Sequence, residues 1–151
     1  MSYDYFAGKS VLVTGGSRGI GLEFVKIAAE HGAKVTATHS RDLSDEARAA
    51  SSDFDGQIKF RQIDVRNANE AKKLILEEKP NILNTNAAIS YLMPLDDPEY
   101  ESAKRHSWDV NVQGVENYVF PWIRHLKETG SEGALVIPSS VIVPMTQGGH
   151  V

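Results

Sequence analysis

The stretch VLVTGGSRGIG, residues 11–21, sets a short apolar run directly before a glycine-rich turn. Gly15, Gly19 and Gly21 have the spacing G-x-x-x-G-x-G, and the turn leads into residues of helical period. Glycines permit a tight turn and a close approach of phosphate groups, while a helix N-terminus offers free N–H groups and a positive dipole end. The strict G-x-G-x-x-G pattern does not match, because Phe24 stands where its third glycine belongs. A strand, a glycine turn and a helix in this order still predict a site for a dinucleotide.

Short β-rich apolar runs alternate with stretches of helical period along the whole chain. This alternation is typical of βαβ units around a parallel sheet. Together with the glycine turn, it predicts an α/β fold: a Rossmann-type doubly wound parallel sheet in strand order 3-2-1-4-5. We expect residues 1–151 to form one dinucleotide-binding domain. The predicted strands are Ser10–Thr14, Lys34–Thr38, Ile58–Ile63, Asn81–Thr85 and Ala134–Ile137.

Three apolar stripes of helical period predict the core-facing sides of helices. The sequence HGA, residues 31–33, is the expected stop of the first helix, and Pro80 that of the second. Pro121 predicts a kink in the third, longer helix. The stripes are Ile20, Phe24, Ile27 and Ala28; then Ala68, Ala71, Leu74 and Ile75; then Trp108, Val112, Val115, Val119, Trp122 and Leu126.

Composition excludes several classes of function. A net charge of -4 without a basic cluster argues against nucleic acid and against an anionic membrane surface. The absence of cysteine excludes disulfides, thiolate metal sites and a cysteine nucleophile. The five histidines lack metal-ligand spacing, so we expect no metal and assign them structural or surface positions. Without a leader-like start or 18 consecutive apolar residues, the sequence predicts a soluble cytoplasmic protein.

Five segments match one known family in the same order along the chain. The sequence resembles the short-chain dehydrogenase/reductase family, whose cofactor turn reads T-G-x-x-x-G-I-G. Thr85 and Ala88 depart from that family's N-N-A-G segment, where asparagine and glycine are usual. The matching segments are TGGSRGIG at 14–21, DV at 64–65, NTNAAI at 84–89, WDVNVQG at 108–114 and VIPSS at 136–140.

The resemblance implies an oxidoreductase that transfers a hydride between a nicotinamide cofactor and a small carbonyl or alcohol substrate, in a protein that forms homo-oligomers. The competing interpretation is a catalytically silent nucleotide-binding or interaction module of the same fold. Asn111 and Ser140 take the catalytic positions. The expected cofactor-binding residues are Thr14, Gly15, Ser17, Arg18, Gly19, Ile20, Gly21, Ser40, Arg41, Asp64, Val65, Asn86, Ala87 and Ala88.

Each of these polar positions also has a simpler interpretation. Asp64 can serve as the N-cap of the helix that follows it. Asn111 can be a solvated or internally bonded amide within a helix. Ser139 and Ser140 can be ordinary loop residues after a strand.

The end of the second strand selects between NADP(H) and NAD(H) in this fold. A carboxylate there accepts hydrogen bonds from the ribose 2'-hydroxyl, whereas an arginine neutralises a 2'-phosphate. Here Ser40 and Arg41 precede Asp42, and Arg18 in the glycine turn adds a second guanidinium. We therefore expect NADP(H). NAD(H) is the alternative, with Asp42 contacting the ribose and Arg41 in solvent.

The family resemblance assigns the proton transfer to a tyrosine followed four residues later by a lysine, whose charge lowers the phenol pKa. The sequence contains one such pair, Tyr100 and Lys104, but it precedes Asn111 instead of following Ser140. It also lies in a charged segment, so we interpret it as a chance match. The resemblance thus implies a fold truncated after the fifth strand, without the helix that carries the catalytic tyrosine, which is expected just beyond Val151. A chain without this tyrosine should not reduce carbonyls.

Overall fold

The computed structural model describes residues 4–139 of the chain. Within them, a single 3-10 turn, Asp4–Phe6, precedes the first strand, and a π-helical segment, Asp109–Gln113, joins the last two helices. The strands are β1 (Ser10–Val13), β2 (Lys34–His39), β3 (Ile58–Gln62), β4 (Ile82–Asn84) and β5 (Ala134–Val136). The α-helices are α1 (Gly19–Glu30), α2 (Asp45–Asp53), α3 (Ala68–Glu78), α4 (Tyr100–Trp108) and α5 (Gly114–Thr129).

The strands form one parallel sheet in the order β3-β2-β1-β4-β5, which confirms the predicted topology. Val11 on the central strand pairs with Val35 of β2 and Ile82 of β4. The order reverses between β1 and β4, so the carboxyl ends of these strands flank a crevice where ligands bind in open α/β sheets.

Helices cover both faces of this sheet, as expected for strands that are apolar on both sides. Val11 and Val13 belong to the core beneath α1 and α2, whereas Leu12 faces the core beneath α3 and α5. Successive side chains of a strand point to opposite faces, so one short strand supplies both cores. Helix α2 was not predicted because it turns only two alanines, Ala47 and Ala50, towards the core.

The predicted stripe on α1 is partly wrong. Ile20 is 82% exposed and Ile27 is also exposed, while Leu22 and Val25 are buried with the predicted Ala28. The reason is the start of the helix: Gly21, not Ile20, packs against the preceding turn. On α3 the predicted Ala71, Leu74 and Ile75 are buried, and Ala68 is exposed.

The third predicted helix is two helices with the π-helical segment between them. Trp108 is 59% exposed, contrary to the prediction, whereas Trp122 and Val119 are buried. Tyr118, outside the predicted stripe, is completely buried. A π-helical turn adds a residue, so the stripe of α4 does not continue in phase onto α5. Pro121 lies inside α5, which continues to Thr129.

Candidate functional site

A cavity of about 770 Å³ lies where the chain leaves the carboxyl ends of β1, β2, β3 and β4. Its walls come mainly from four segments that the sequence singled out, with Ser44, His106 of α4 and Val110 completing the lining. The four segments are the glycine turn (residues 14–21), the β2 corner (residues 38–42), the turn after β3 (residues 63–66) and the loop after β4 (residues 86–89). Four connections that are remote in sequence therefore surround one space.

The glycine turn needs glycine at two positions for different reasons. Gly15 has a positive φ of 64°, and a Cβ there would lie 2.8 Å from the Cα of Ala87. Gly21 is helical, but its Cβ would clash with the carbonyl oxygen of Gly15 and lie 2.5 Å from Nδ2 of Asn86. Helix α1 therefore begins in direct contact with the turn, and its first N–H groups lack acceptors within the helix. Arg18 at the N-cap position does not cap them with its side chain.

The loop after β4 holds this turn in place. Asn86 donates from Nδ2 to the carbonyl oxygen of Gly15 over 3.1 Å. The backbone N–H of Ala87 donates to the hydroxyl of Thr14 over 3.0 Å. Thr14 and Asn86 thus connect the ends of the neighbouring strands β1 and β4.

Asn111 fixes the far end of the same loop. Its Nδ2 donates to the carbonyl oxygen of Ile89 over 2.7 Å, and its Oδ1 accepts from the N–H of Ile89 over 2.9 Å. Both polar groups of one backbone residue are thereby bonded to one side-chain amide. Asn111 lies in the π-helical segment, so this bulge joins α4 and α5 to the cavity wall.

The turn after β3 is organised by two asparagines. Asn67 is the N-cap of α3, because its side chain accepts from the N–H of Glu70 over 3.2 Å. The alternative that Asp64 caps this helix is therefore wrong. Asn117 on α5 donates from Nδ2 to the carbonyl oxygen of Val65 over 2.9 Å. These contacts leave Asp64 and Val65 lining the cavity.

The β2 corner carries charge without internal partners. Arg41 of this corner and Arg18 of the neighbouring glycine turn both line the cavity, and within residues 4–139 neither forms an ion pair. Asp42 lines it as well and is likewise without an ion pair in the described part of the chain. The His39 ring donates from Nδ1 to the carbonyl oxygen of Arg41 over 2.5 Å, which holds the chain where it leaves the strand.

Beneath the β2 corner lies a buried pair of hydroxyl groups. Thr38 lies on the buried part of β2 and lines the cavity, and Tyr118 is a fully buried residue of α5. Neither hydroxyl has a hydrogen-bond partner of good geometry in the described part of the chain. Burial raises the pKa of Tyr118 to about 12, and the Thr38 hydroxyl partly offsets this rise.

Most of the predicted cofactor residues border the cavity. Thr14 and Gly21 lie behind it as supports, and Ile20 does not line it. Ser140 lies outside the described residues, and Ser139 is exposed. The predicted residues that line the cavity are Gly15, Ser17, Arg18, Gly19, Ser40, Arg41, Asp64, Val65, Asn86, Ala87 and Ala88.

Several lining residues were not predicted. His39 and His106 were assigned structural or surface positions, yet both border the cavity. Arg66 directly follows the DV pair, so its position in the sequence was a usable signal, whereas nothing in the sequence brings α4 and its His106 here. The full set of unpredicted lining residues is Thr38, His39, Asp42, Ser44, Ile63, Arg66, Ile89, His106 and Val110, of which only Asp42 had been considered as an alternative.

Tyr100 and Lys104 lie on α4 away from the cavity lining. The ammonium of Lys104 contacts Oε2 of Glu101 at 3.2 Å, and both side chains are mostly exposed. Within residues 4–139 no group of three potential metal ligands is close enough to hold an ion. None of the described helices is both long and apolar enough to cross a membrane.

Comparisons with known proteins identify the architecture. The family model described as short chain dehydrogenase matches residues 9–150. Short-chain dehydrogenase reductase 3c of Arabidopsis thaliana is 32% identical over 153 residues, covering 95% of this chain and 57% of the relative. The 2,5-dichloro-2,5-cyclohexadiene-1,4-diol dehydrogenase of Sphingobium indicum is 30% identical over 141 residues, covering 89% of this chain and 55% of the relative. The chain thus spans about half the length of the curated relatives it matches.

Solved structures agree with this result. A short chain dehydrogenase from Leptospira borgpetersenii, crystallised with bound NAD+, superposes with a TM-score of 0.84 at 26% identity. The match covers 97% of this chain and 57% of that chain. The cavity, the glycine turn and the sheet order therefore have one common explanation: the chain belongs to the short chain dehydrogenase family of oxidoreductases.

Proposed function

We propose that this chain binds NADP(H) in the cavity and forms the cofactor-binding part of an oxidoreductase for a small carbonyl or alcohol substrate. The observation that carries the proposal is one cavity of about 770 Å³ that is lined both by the glycine turn with Arg18 and by Arg41 of the β2 corner, and neither arginine forms an ion pair within residues 4–139. Its volume lies within the range of about 300–1,000 Å³ common for small-molecule sites. Its position at the carboxyl ends of the strands is where this fold binds nucleotides.

Different parts of the wall suit different parts of the cofactor. The start of α1 and the turn residues Ser17 and Gly19 suit the pyrophosphate, because free N–H groups favour anions. Arg41 and Arg18 suit a 2'-phosphate, which a guanidinium can contact through two donors. The cofactor would supply hydride transfer at its nicotinamide ring, and the role of the chain is to bind and orient it.

NAD(H) is the second candidate. Asp42 lines the cavity beside Arg41 and can accept hydrogen bonds from a ribose 2'-hydroxyl. The Leptospira relative was crystallised with NAD+. Under this alternative Arg41 remains in solvent, and removing its charge leaves the affinity for the cofactor unchanged.

The proposed substrate class rests on the family and on the named relatives, one of which is a diol dehydrogenase. Under this proposal Ser140 orients the substrate oxygen. Asn111 supports the site by holding both polar groups of Ile89. Tyr100 takes no part in proton transfer under this proposal, since it does not line the cavity. Tyr100→Phe should therefore leave both the binding of the cofactor and any catalytic activity unchanged.

A homo-oligomer in the cytoplasm belongs to the same proposal. Support for self-association comes from α5, which exposes Phe120 and Ile123 next to both signs of charge. The charged neighbours are Arg124, Lys127 and Glu128. A face of this kind is self-complementary, as an isologous contact requires.

The test is a calorimetric titration of the chain with NADPH and with NADH, repeated for Arg41→Asp. We expect NADPH to bind at least about tenfold more tightly, because a charge-assisted hydrogen bond is worth about 1.5–3 kcal/mol. In Arg41→Asp the preference should disappear or reverse. Arg48→Asp, with the same charge change on the exposed part of α2, should retain it.

Two results would reject parts of this proposal. Equal affinities for NADPH and NADH in the unmodified chain would reject the choice of NADP(H) and favour the alternative through Asp42. Failure of both nucleotides to bind would reject the cofactor site itself.

A further inference from the structure

The hydroxyl of Ser44 forms two hydrogen bonds at the edge of the cavity. Its Oγ donates to the carbonyl oxygen of Ser17 over 3.0 Å and accepts from the N–H of Ala47 over 3.1 Å. A serine hydroxyl has one hydrogen to donate, so its donor is committed to the glycine turn. The second bond makes Ser44 the N-cap of α2. One side chain therefore connects the start of α2 to the glycine turn, 27 residues earlier in the chain.

Packing holds the two ends of the glycine turn but not its middle. A Cβ added at Gly15, Gly16 or Gly21 would lie no more than 2.8 Å from a neighbouring heavy atom. At Gly19, by contrast, no atom of the described residues lies within 4 Å of an added Cβ. The orientation of the middle segment, residues 17–19, therefore depends on hydrogen bonds.

The restraint on this middle segment comes from the side of β2 and α2. The N–H of Gly16 donates to the carbonyl oxygen of Thr38 over 3.0 Å, which holds the residue just before the segment. Within residues 4–139, Ser44 is the one residue whose side chain bonds to the backbone of residues 17–19. Removing this hydroxyl should therefore loosen the segment without disturbing the packed ends of the turn.

The bond to Ser44 also sets the direction of a backbone N–H group. No described peptide bond is cis, and in a trans peptide the N–H points away from the preceding carbonyl oxygen. Because the carbonyl oxygen of Ser17 is directed at Ser44, the N–H of Arg18 points to the opposite side. This N–H has no backbone acceptor within residues 4–139, and both Ser17 and Arg18 line the cavity. Such an N–H group at the start of a helix favours an anion.

A fixed peptide should bind an anion more tightly than a mobile one. A mobile backbone segment is ordered only when its ligand binds, and this ordering lowers the affinity. A segment already held by Ser44 avoids that loss. The gain applies to the part of a nucleotide that lies against residues 17–19, and not to a part that is bound at the β2 corner.

We infer that Ser44 is a positioning residue, which fixes the peptide between Ser17 and Arg18 so that the turn is preorganised for the diphosphate of the nucleotide. The inference rests on the proposed function, because it concerns the same cofactor site. It assigns to Ser44 a role that the spacing of the glycines does not indicate.

The experiment replaces Ser44 with glycine. Glycine is nearly as good an N-cap as serine, so Ser44→Gly retains α2 while it removes the bond to Ser17. Dissociation constants are measured by calorimetry for NADPH and, by displacement, for adenosine 2'-monophosphate, which has the adenine and the 2'-phosphate but no diphosphate. We expect the variant to bind NADPH about fivefold more weakly, as for one neutral hydrogen bond, and the monophosphate within about twofold of the unmodified chain. NADH and adenosine replace these ligands if the unmodified chain prefers NADH.

Ser10→Gly is the matched control. The hydroxyl of Ser10 also donates to a remote carbonyl oxygen, that of Glu78, over 3.2 Å, and it is partly buried like that of Ser44. Ser10 begins β1, at the end of the sheet opposite the cavity, and does not line the cavity. This variant should leave both affinities unchanged. Ser44→Thr retains a hydroxyl for both bonds, so its affinity for NADPH should stay within about twofold of that of the unmodified chain.

Nuclear magnetic relaxation of the 15N-labelled chain without nucleotide provides an independent readout. The backbone order parameters of residues 17–19 should fall in Ser44→Gly and stay unchanged in Ser10→Gly. Circular dichroism of each variant verifies that the fold is retained.

The outcomes separate this inference from the proposed function. Unchanged affinity for NADPH in Ser44→Gly, unchanged order parameters of residues 17–19, or an equal loss of affinity in Ser44→Thr would overturn the positioning role while leaving the cofactor site intact. An equal loss of affinity for the ligand without a diphosphate would show that Ser44 contacts the nucleoside end directly, and it would also overturn the positioning role. Failure of every nucleotide to bind the unmodified chain would reject the proposed function and this inference with it.

Discussion

The glycine turn and the β2 corner border the same cavity, yet the first is filled with internal contacts and the second is not. In the turn, Gly15 and Gly21 pack against Asn86 and Ala87 so closely that a methyl group would not fit. At the corner, Arg41 and Asp42 are exposed and form no ion pair with the described residues. The turn is fixed by internal packing, whereas the corner presents charged side chains that form no ion pair within residues 4–139.

This difference suggests that packed residues bind what all dinucleotides share, whereas exposed charged residues distinguish one dinucleotide from another. A packed turn can hold the phosphate groups common to all dinucleotides, because its N–H groups are already in position. Unpaired charges such as Arg41 can distinguish one dinucleotide from another, since their interactions form only with a matching ligand. Changes in the turn should therefore affect folding, and changes at the corner should affect selectivity.

The largest effect is expected for Gly21→Ala. Alanine normally stabilises a helix by about 1 kcal/mol relative to glycine. Here the added methyl group would meet the carbonyl oxygen of Gly15 and Nδ2 of Asn86. We expect the free energy of unfolding, measured by urea denaturation, to fall by roughly 3 kcal/mol, as for other overpacked sites.

Gly56→Ala is the control for this prediction. Gly56 has a φ of 78° and no atom near its added Cβ, so only backbone strain should cost stability, about 1 kcal/mol. If Gly21→Ala proved as stable as the unmodified chain, the turn and α1 would not be packed as described.

A smaller effect is expected for Tyr118→Phe, which removes one of the two buried hydroxyl groups below the β2 corner. At neutral pH the free energy of unfolding should stay the same or rise by up to about 1 kcal/mol, because the lost hydroxyl has no partner of good geometry among residues 4–139. Urea denaturation of both proteins at pH 7 and at alkaline pH measures the effect.

The pH dependence provides a second readout for the same variant. The pKa of Tyr118 rises from 10.0 to about 12 on folding, because burial disfavours the phenolate. The free energy of unfolding is therefore unaffected by this group below pH 10 and falls as the pH rises from 10 to about 12. The unmodified chain should lose on the order of 2 kcal/mol more than Tyr118→Phe across this interval. Equal losses would show that the Tyr118 hydroxyl is not buried.

The sequence was sufficient for the sheet and for the turn, because both depend on local patterns. Apolar runs defined the strands, and the spacing of Gly15, Gly19 and Gly21 located the nucleotide end of the sheet. The same reasoning misjudged Ile20 and Trp108, whose exposure depends on how each helix is rotated. A glycine contact fixes the rotation of α1, and a π-helical turn changes that of α4 relative to α5.

The residues of the site that sequence patterns did not predict are brought there by the tertiary structure. His106 borders the cavity because α4 folds back across the loop after β4, and no spacing in the sequence expresses that approach. The choice between Asp64 as a helix cap and as a cavity residue also required the structure, which assigns the cap to Asn67. The contacts of the Arg66 guanidinium with the carboxylate of Asp64, Nε to Oδ1 and Nη2 to Oδ2, likewise depend on the geometry of the turn between the two residues.

The central claim is that the four wall segments form one cofactor site, and nuclear magnetic resonance of the 15N-labelled chain tests it most directly. On titration with NADPH, we expect the amide signals of the glycine turn, the β2 corner, residues 64–66 and residues 86–88 to shift together with one dissociation constant. Amides of the exposed face of α5, including Phe120 and Ile123, should stay unchanged. Shifts confined to that face, or no shifts at saturating NADPH, would contradict the account.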